Sequence, residues 1–321
     1  VPLTPPTVIV TGASSGIGLH AAQALARRGW HIVMACRDLI KAAAAVERLG
    51  IPAGRVTALT LDLASQASVR RFVAAFRSTG LPLNAVVCNA AVYLPRLEEP
   101  QRSAEGYELS VATNHLGHFL LCHLLLLDLC ESVGRTPRLV TIATEVANSE
   151  ESGPRIPSRA RADLGALQGL EAGFKSPIAM IDGKPFDAAK AYRDSKLCNL
   201  LMSREFHRRE HARSGVSFST LYPGCVPDTA LHREASALVR ATTPWIQKHV
   251  TRTRVTEAQA GERVADVVNE RAFARSGVHW SWGRRPREGQ RAFAQALSAE
   301  AIEERRAARL WELSLGLVEL G

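Results

Sequence analysis

No run of apolar residues in this chain approaches the ~20 that a bilayer span requires. The longest, Phe119 to Cys130, is interrupted by His123 and Asp128 and reads as a buried helix. The opening VPLTPP has neither the basic stretch nor the apolar core of a secretory signal, so export is not expected. None of the six cysteines (Cys36, Cys88, Cys122, Cys130, Cys198, Cys225) stands in a C-x-x-C pair or at zinc-ligand spacing, and a chain of 321 residues does not need disulfides for stability. Reduced thiols and a cytoplasmic setting are the expectation. Zinc-finger, basic-zipper and RNA-recognition signatures are missing, so no nucleic-acid partner is expected. His115, His118 and His123 share one helical stretch but read as core or surface histidines rather than metal ligands. No repeat and no Ser/Gly-rich linker divides the chain, which is expected to form a single domain over residues 1–321. What the chain does have is 46% hydrophobic residues and 40 Lys and Arg against 31 Asp and Glu, a net charge of +9. That balance implies a solvated basic surface, part of it open to a phosphorylated ligand or to anionic lipid at a membrane surface. No pattern bears on oligomeric state.

Short β-rich runs alternate with helical stretches: TVIVT and a helix through Ala26, HIVMAC and a helix to Leu49, VTALTL and a helix to Phe76, NAVVCN and two helical segments, then RLVTIA and VSFSTLY. This order predicts βαβ units, hence an α/β fold with a doubly wound, Rossmann-type parallel sheet covered on both faces. Ligands of such sheets bind beyond the carboxyl ends of the strands. Two stretches interrupt the alternation. Residues 145–190, rich in Gly, Pro and Ser, read as a functional insertion, and residues 224–256, following the last inner strand, read as a substrate lid.

TGASSGIG, Thr11 to Gly18, lies between the first strand and the first helix. There Gly12, Gly16 and Gly18 let backbone approach a pyrophosphate, with Ser14, Ser15 and Ile17 completing the loop and the helix amino end attracting the charge. The spacing is G-x-x-x-G-x-G, and its placement after a strand makes a dinucleotide the better reading than a plain tight turn. The second strand ends MACRD: no acidic residue of the kind NAD-specific sites carry near the strand end replaces Cys36, Arg37 follows at once, and Lys41 lies one helical turn later. Two cations there suit the 2′-phosphate of NADPH, with Asp38 a competing partner. Asp62 and Leu63 after the third strand, and Asn89, Ala90 and Ala91 after the fourth, are placed to line the cofactor.

Tyr192 and Lys196 are four residues apart in AYRDSKLCN, on one face of a helix. A phenol of pKa about 10 is a sluggish acid or base at neutral pH, and an ammonium nearby favours its phenolate, so Lys196 would tune and Tyr192 transfer a proton. Cys225, beyond the sixth strand, reads from its position as a small buried hydrophobe.

Together TGASSGIG, CNAA, NHLGHF, YRDSK and LYPG resemble the short-chain dehydrogenases over nearly the whole chain. More narrowly, CNAAVYLP, TNHLGHFLL, the insert with PIAMIDGK, LYPGC, IQKHVT and SGVHWSWG are similar to the light-dependent protochlorophyllide oxidoreductase family. The resemblance implies light-driven transfer of hydride from NADPH and of a proton across the C17=C18 bond of protochlorophyllide. It assigns catalysis to Tyr192 and Lys196, proton relay to Asn114, a substrate-polarising hydroxyl to Thr144 in place of the usual Ser, and a functional role to Cys225. It also gives Pro223, Gly224 and Thr229 to the nicotinamide, and Tyr222 and Gln247 to the pigment. Pro227, Ala230 and His232 depart from the family pattern. The proton donor stays open between Tyr192 and Cys225. Some of Phe119, Phe174, Met180 and Trp245, ordinarily core residues, are expected to line a cleft for a flat tetrapyrrole. The alternatives are a dark carbonyl or retinol reductase on the same machinery, or a pigment carrier or redox sensor without turnover.

Overall fold

The computed structural model describes residues 5–132, 134–152, 161–226, 255–283 and 290–320. Seven strands run parallel: β1 (Thr7–Thr11), β2 (His31–Cys36), β3 (Val56–Thr60), β4 (Ala85–Cys88), β5 (Arg138–Ile142), β6 (Ser217–Tyr222) and β7 (Val278–Ser281). An eighth, β8 (Phe293–Ala294), adds antiparallel at the edge, giving the order β3-β2-β1-β4-β5-β6-β7-β8. The doubly wound parallel sheet expected from the alternation of strands and helices is therefore present. The sequence pattern revealed six strands and missed the last two, the four-residue VHWS and its two-residue antiparallel neighbour.

The longer helices are α1 (Gly16–Arg27), α2 (Leu39–Arg48), α3 (Gln66–Ser78), α4 (Leu109–Cys130), α5 (Ala188–Ser214), α6 (Glu257–Asn269) and α7 (Glu304–Leu317). Successive strand side chains point to opposite faces, so Val8, Val10, Ile32 and Met34 pack with α1, α2 and α6, while Ile9, Val33, Val86 and Leu139 pack with α3, α4, α5 and α7. Both faces are covered, which is why strands such as TVIVT are buried throughout instead of alternating. On the first face, Arg28 pairs with Glu262 at 2.9 Å and Asp266 at 2.6 Å, tying α1 to α6.

The two helical segments expected after β4 form one helix, α4, of 22 residues, long and apolar enough by composition to cross a membrane yet mostly buried against the sheet. A five-residue π turn, Ala112–Leu116, interrupts its regular ladder and contains Asn114. Beyond it Phe119 packs with Trp311, Phe206 and His123 at centroid distances of 5.1, 6.2 and 4.3 Å. Phe119, Phe174 and Met180 are almost wholly buried in protein. None of these three lines the cleft at the strand ends, and Trp245, the fourth residue expected to share in a tetrapyrrole contact, lies outside the described residues.

The described part of the 145–190 insertion is ordered by apolar anchors and by charge. Leu164, Leu167, Leu170, Phe174 and Ile181 join the core. Arg102 donates to the Phe174 carbonyl at 2.8 Å and the Ile178 carbonyl at 3.0 Å. Lys190 pairs with Asp194 and, at 3.1 Å, with Asp182, while the Asp163 amide donates to Asp194 at 2.9 Å. The insertion is thereby pinned to the first turns of α5. Most of the expected lid, with Thr229, Gln247, Pro227, Ala230, His232 and Trp245, lies outside the described residues.

Candidate active site

A cavity of about 840 Å³ opens at the carboxyl ends of the strands, across the point between β1 and β4 where the strand order reverses. Its floor is the turn after β1. Gly12 and Gly16 hold φ of +66° and +59°, a left-handed backbone that glycine adopts without a Cβ clash. A Cβ on Gly18 would stand 2.5 Å from Asn89 Nδ2 and 2.7 Å from the Gly12 carbonyl oxygen, so this glycine lets α1 start directly under the loop. Gly12, Ser14, Ser15, Gly16 and Ile17 line the cavity, whereas Gly18 supports them from beneath. Ser15 is the N-cap of α1, yet its side chain makes no capping bond.

Arg37 and Lys41 line the far end and form no ion pair among the described residues. Asp38, the competing partner, is instead the N-cap of α2, its carboxylate accepting from the Lys41 amide at 2.9 Å. Asp62 and Leu63 lie beside them, with Asp62 Oδ1 accepting from the Ala64 amide at 3.0 Å. Asn89, Ala90 and Ala91 form the central wall. Asn89 Nδ2 donates to the Thr11 carbonyl at 2.8 Å, and the Asn89 and Ala90 amides both donate to Thr11 Oγ1, at 2.9 and 3.0 Å.

Tyr192, Lys196, Thr144, Tyr222, Pro223, Gly224 and Cys225 converge at the other end. Burial, with smaller contributions from Tyr93 and Cys225, pushes the Tyr192 phenol far above its ordinary value. Burial also lowers Lys196 to about 8, and its Nζ donates to the Ile142 carbonyl at 3.1 Å. Desolvation therefore favours the protonated phenol of Tyr192, while the Lys196 ammonium is turned to a backbone carbonyl. The Tyr93 ring packs on Tyr192, with centroids 4.7 Å apart.

Asn114 lies behind this wall. Its Oδ1 accepts from the Val92 amide at 2.8 Å, and its Nδ2 donates to the Val92 carbonyl at 3.1 Å and to Ser195 Oγ at 2.9 Å. Its own carbonyl lies 3.0 Å from His118 Nδ1, whose other nitrogen, Nε2, lies 2.9 Å from Thr11 Oγ1. A carbonyl can only accept, so Nδ1 carries the proton and Thr11 donates to Nε2. Burial lowers His118 to about 4, so it is a neutral strut linking Asn114 to the phosphate strand. Thr11, Tyr93, His118, Arg193 and Ser195 were not singled out for the site from sequence. Thr11 and His118 stand inside the TGASSGIG and NHLGHF motifs, but no spacing rule marks them.

Two kinds of likeness accompany this geometry. Residues 6–153 match the family model described as short chain dehydrogenase. The chain is 48% identical to a chloroplastic protochlorophyllide reductase of Daucus carota over 98% of this chain and 78% of the relative. With a protochlorophyllide reductase of Avena sativa the identity is 49%, over 98% of this chain and 99% of the relative. Among solved structures, the Pseudomonas aeruginosa RhlG/NADP active-site complex superposes with a TM-score of 0.64 at 20% identity, covering 87% of this chain and 95% of the other. The 3-ketoacyl-(acyl-carrier-protein) reductase from Brucella melitensis complexed with NADH gives 0.62 at 18% identity, covering 88% and 98%. At such identities the solved structures establish the fold alone, whereas the near full-length relatives reach further: the chain belongs to the protochlorophyllide reductase family, on the short-chain dehydrogenase fold.

Proposed function

We propose that this chain is a light-dependent NADPH:protochlorophyllide oxidoreductase. The observation that carries the reading is the convergence of a glycine-floored dinucleotide cleft with a protonated Tyr192 in a chain 48% identical to protochlorophyllide reductases across its length.

The cleft fits a 2′-phosphorylated dinucleotide. A Cβ would fill the space at Gly18, and Arg37 and Lys41 keep their charges unspent at the adenosine end, where no carboxylate replaces Cys36. When bound, that cofactor supplies the hydride that goes to one carbon of the C17=C18 bond. The residues of this chain do the rest. Tyr192, kept protonated by burial, holds the proton for the other carbon, and Cys225 at the same wall adds to that burial effect as a neighbour. Lys196 would meet the nicotinamide ribose and restore the phenol's proton. Asn114, through Val92 and Ser195, holds the segment after β4 against α5. Thr144 and Tyr222 border the same space.

A C=C bond in a conjugated macrocycle lacks the polarised carbonyl that an oxyanion-type donor stabilises, so the absorbed photon provides the drive. The protein's share is near-attack geometry and exclusion of water. The test is to assemble protein, NADPH and protochlorophyllide in darkness, record the pigment spectrum, and then illuminate. A stable dark complex and a red-shifted product band only after light are expected. Equal product in darkness, or no pigment binding alongside brisk reduction of retinal or another carbonyl, would overturn the reading in favour of a dark carbonyl reductase.

A further inference from the structure

We propose that Arg193 is the carboxylate anchor of the substrate, its guanidinium binding the free propionate that protochlorophyllide carries on C17. The inference rests on the pigment-reductase reading above and adds to it a specific contact that fixes which bond meets the reacting groups.

Among the described residues, four cationic side chains line the cavity: Arg37, Lys41, Arg193 and Lys196. Arg37 and Lys41 stand at the adenosine end beside Asp62, and Lys196 is buried with its Nζ on the Ile142 carbonyl. Arg193 is the remaining positive charge on the wall that carries Tyr192, its neighbour in sequence on α5. Its Nε is sealed from solvent and has no hydrogen-bond partner, and no carboxylate among the described residues forms an ion pair with it. A guanidinium in the cavity wall with no carboxylate to pair with is a charge that an anionic ligand can neutralise. Tyr93 bridges the two residues: its ring lies on Tyr192, and its phenol, raised by burial, is opposed by the Arg193 charge.

The chemistry of the substrate matches this unspent charge. Protochlorophyllide is a largely apolar macrocycle with one ionised group, and that group hangs by a short propionate chain from C17, an atom of the bond to be reduced. A charge placed next to Tyr192 therefore meets the carboxylate when the C17=C18 bond meets the phenol. A guanidinium fork can take both carboxylate oxygens, which fixes the orientation of ring D as well as its distance. In an apolar pocket, a single placed charge of this kind sets the pose that hydrophobic contact alone leaves degenerate.

The experiment compares protochlorophyllide with its C17-propionate methyl ester, each titrated in the dark against the NADPH complex of the wild type and of Arg193→Met and Arg193→Lys, with pigment absorbance as the readout. The wild type is expected to prefer the acid over the ester by about tenfold to a hundredfold, the range of a charge-assisted bond. Arg193→Met should abolish that preference by weakening the acid alone, and Arg193→Lys should retain part of it. A general packing defect would weaken acid and ester together and leave their ratio intact, which overturns the proposal, as does a wild type that binds the two pigments alike. Failure of the wild type to bind either pigment would instead overturn the pigment-reductase reading itself.

Discussion

The Tyr192 phenol keeps its proton because its surroundings cannot solvate a phenolate: the side chain is buried, Tyr93 covers its ring, and the Lys196 ammonium is turned to a backbone carbonyl. The same burial that lowers Lys196 to about 8 makes this lysine ready to give up a proton near neutral pH. In the proposed reaction the pair would act as a donor with a proton source behind it. Replacing Tyr192 with Phe should lower single-turnover product formation after illumination by on the order of 10²- to 10⁴-fold, the usual value of a placed acid. The denaturation midpoint should stay close to wild type, since no described hydrogen bond depends on the hydroxyl. Retention of near-normal rates would move proton delivery to Cys225, the thiol on the same wall.

At the scale of an element, α4 is placed by one close approach. A Cβ on Gly117 would lie 2.2 Å from the Leu63 carbonyl oxygen, so the helix touches the loop after β3 backbone to backbone. Two opposing effects follow for Gly117→Ala. Helix propensity would gain about 1 kcal/mol, but the clash is with main chain, which cannot rotate away, and overpacking of this kind costs about 1–3 kcal/mol or more. The clash should win. Net destabilisation in urea is expected, together with weaker NADPH binding because Leu63 and Asp62 line the cleft. A variant as stable as the wild type, or more so, would show that α4 can slide without consequence.

For the whole molecule, the proposed assignments give the two ends of one cavity to different ligands, and binding to the folded state alone stabilises it. At a ligand concentration of about a hundred times Kd the gain is about 2.7 kcal/mol, enough to raise the thermal midpoint by a few degrees. NADPH should therefore raise Tm at concentrations where NADH does not. Arg37→Ala should weaken NADPH roughly ten- to hundredfold and bring the two cofactors together. Equal shifts by NADPH and NADH in the wild type would remove the assignment of Arg37 and Lys41 to a 2′-phosphate.

The sequence by itself determined whatever is written in local spacing. The alternation of apolar strands with helical stretches dictated a doubly wound parallel sheet, the glycines of TGASSGIG marked the turn after β1, and a four-residue interval put Tyr192 and Lys196 on one helix face. These are short-range consequences of backbone geometry, legible without knowing what packs against them. Only the tertiary structure decided what surrounds each group. It buried Phe119, Phe174 and Met180 instead of presenting them to a cleft, gave Asp38 to a helix cap, turned Lys196 toward Ile142, and made His118 a neutral strut between Asn114 and Thr11. It also set Arg193 beside Tyr192 in the cavity wall with its Nε unpartnered. Desolvation and hydrogen-bond partnership depend on neighbours far away in the chain: His118 and Thr11 are 107 positions apart. No local pattern carries that information, because protonation and pairing are settled by the environment that folding assembles.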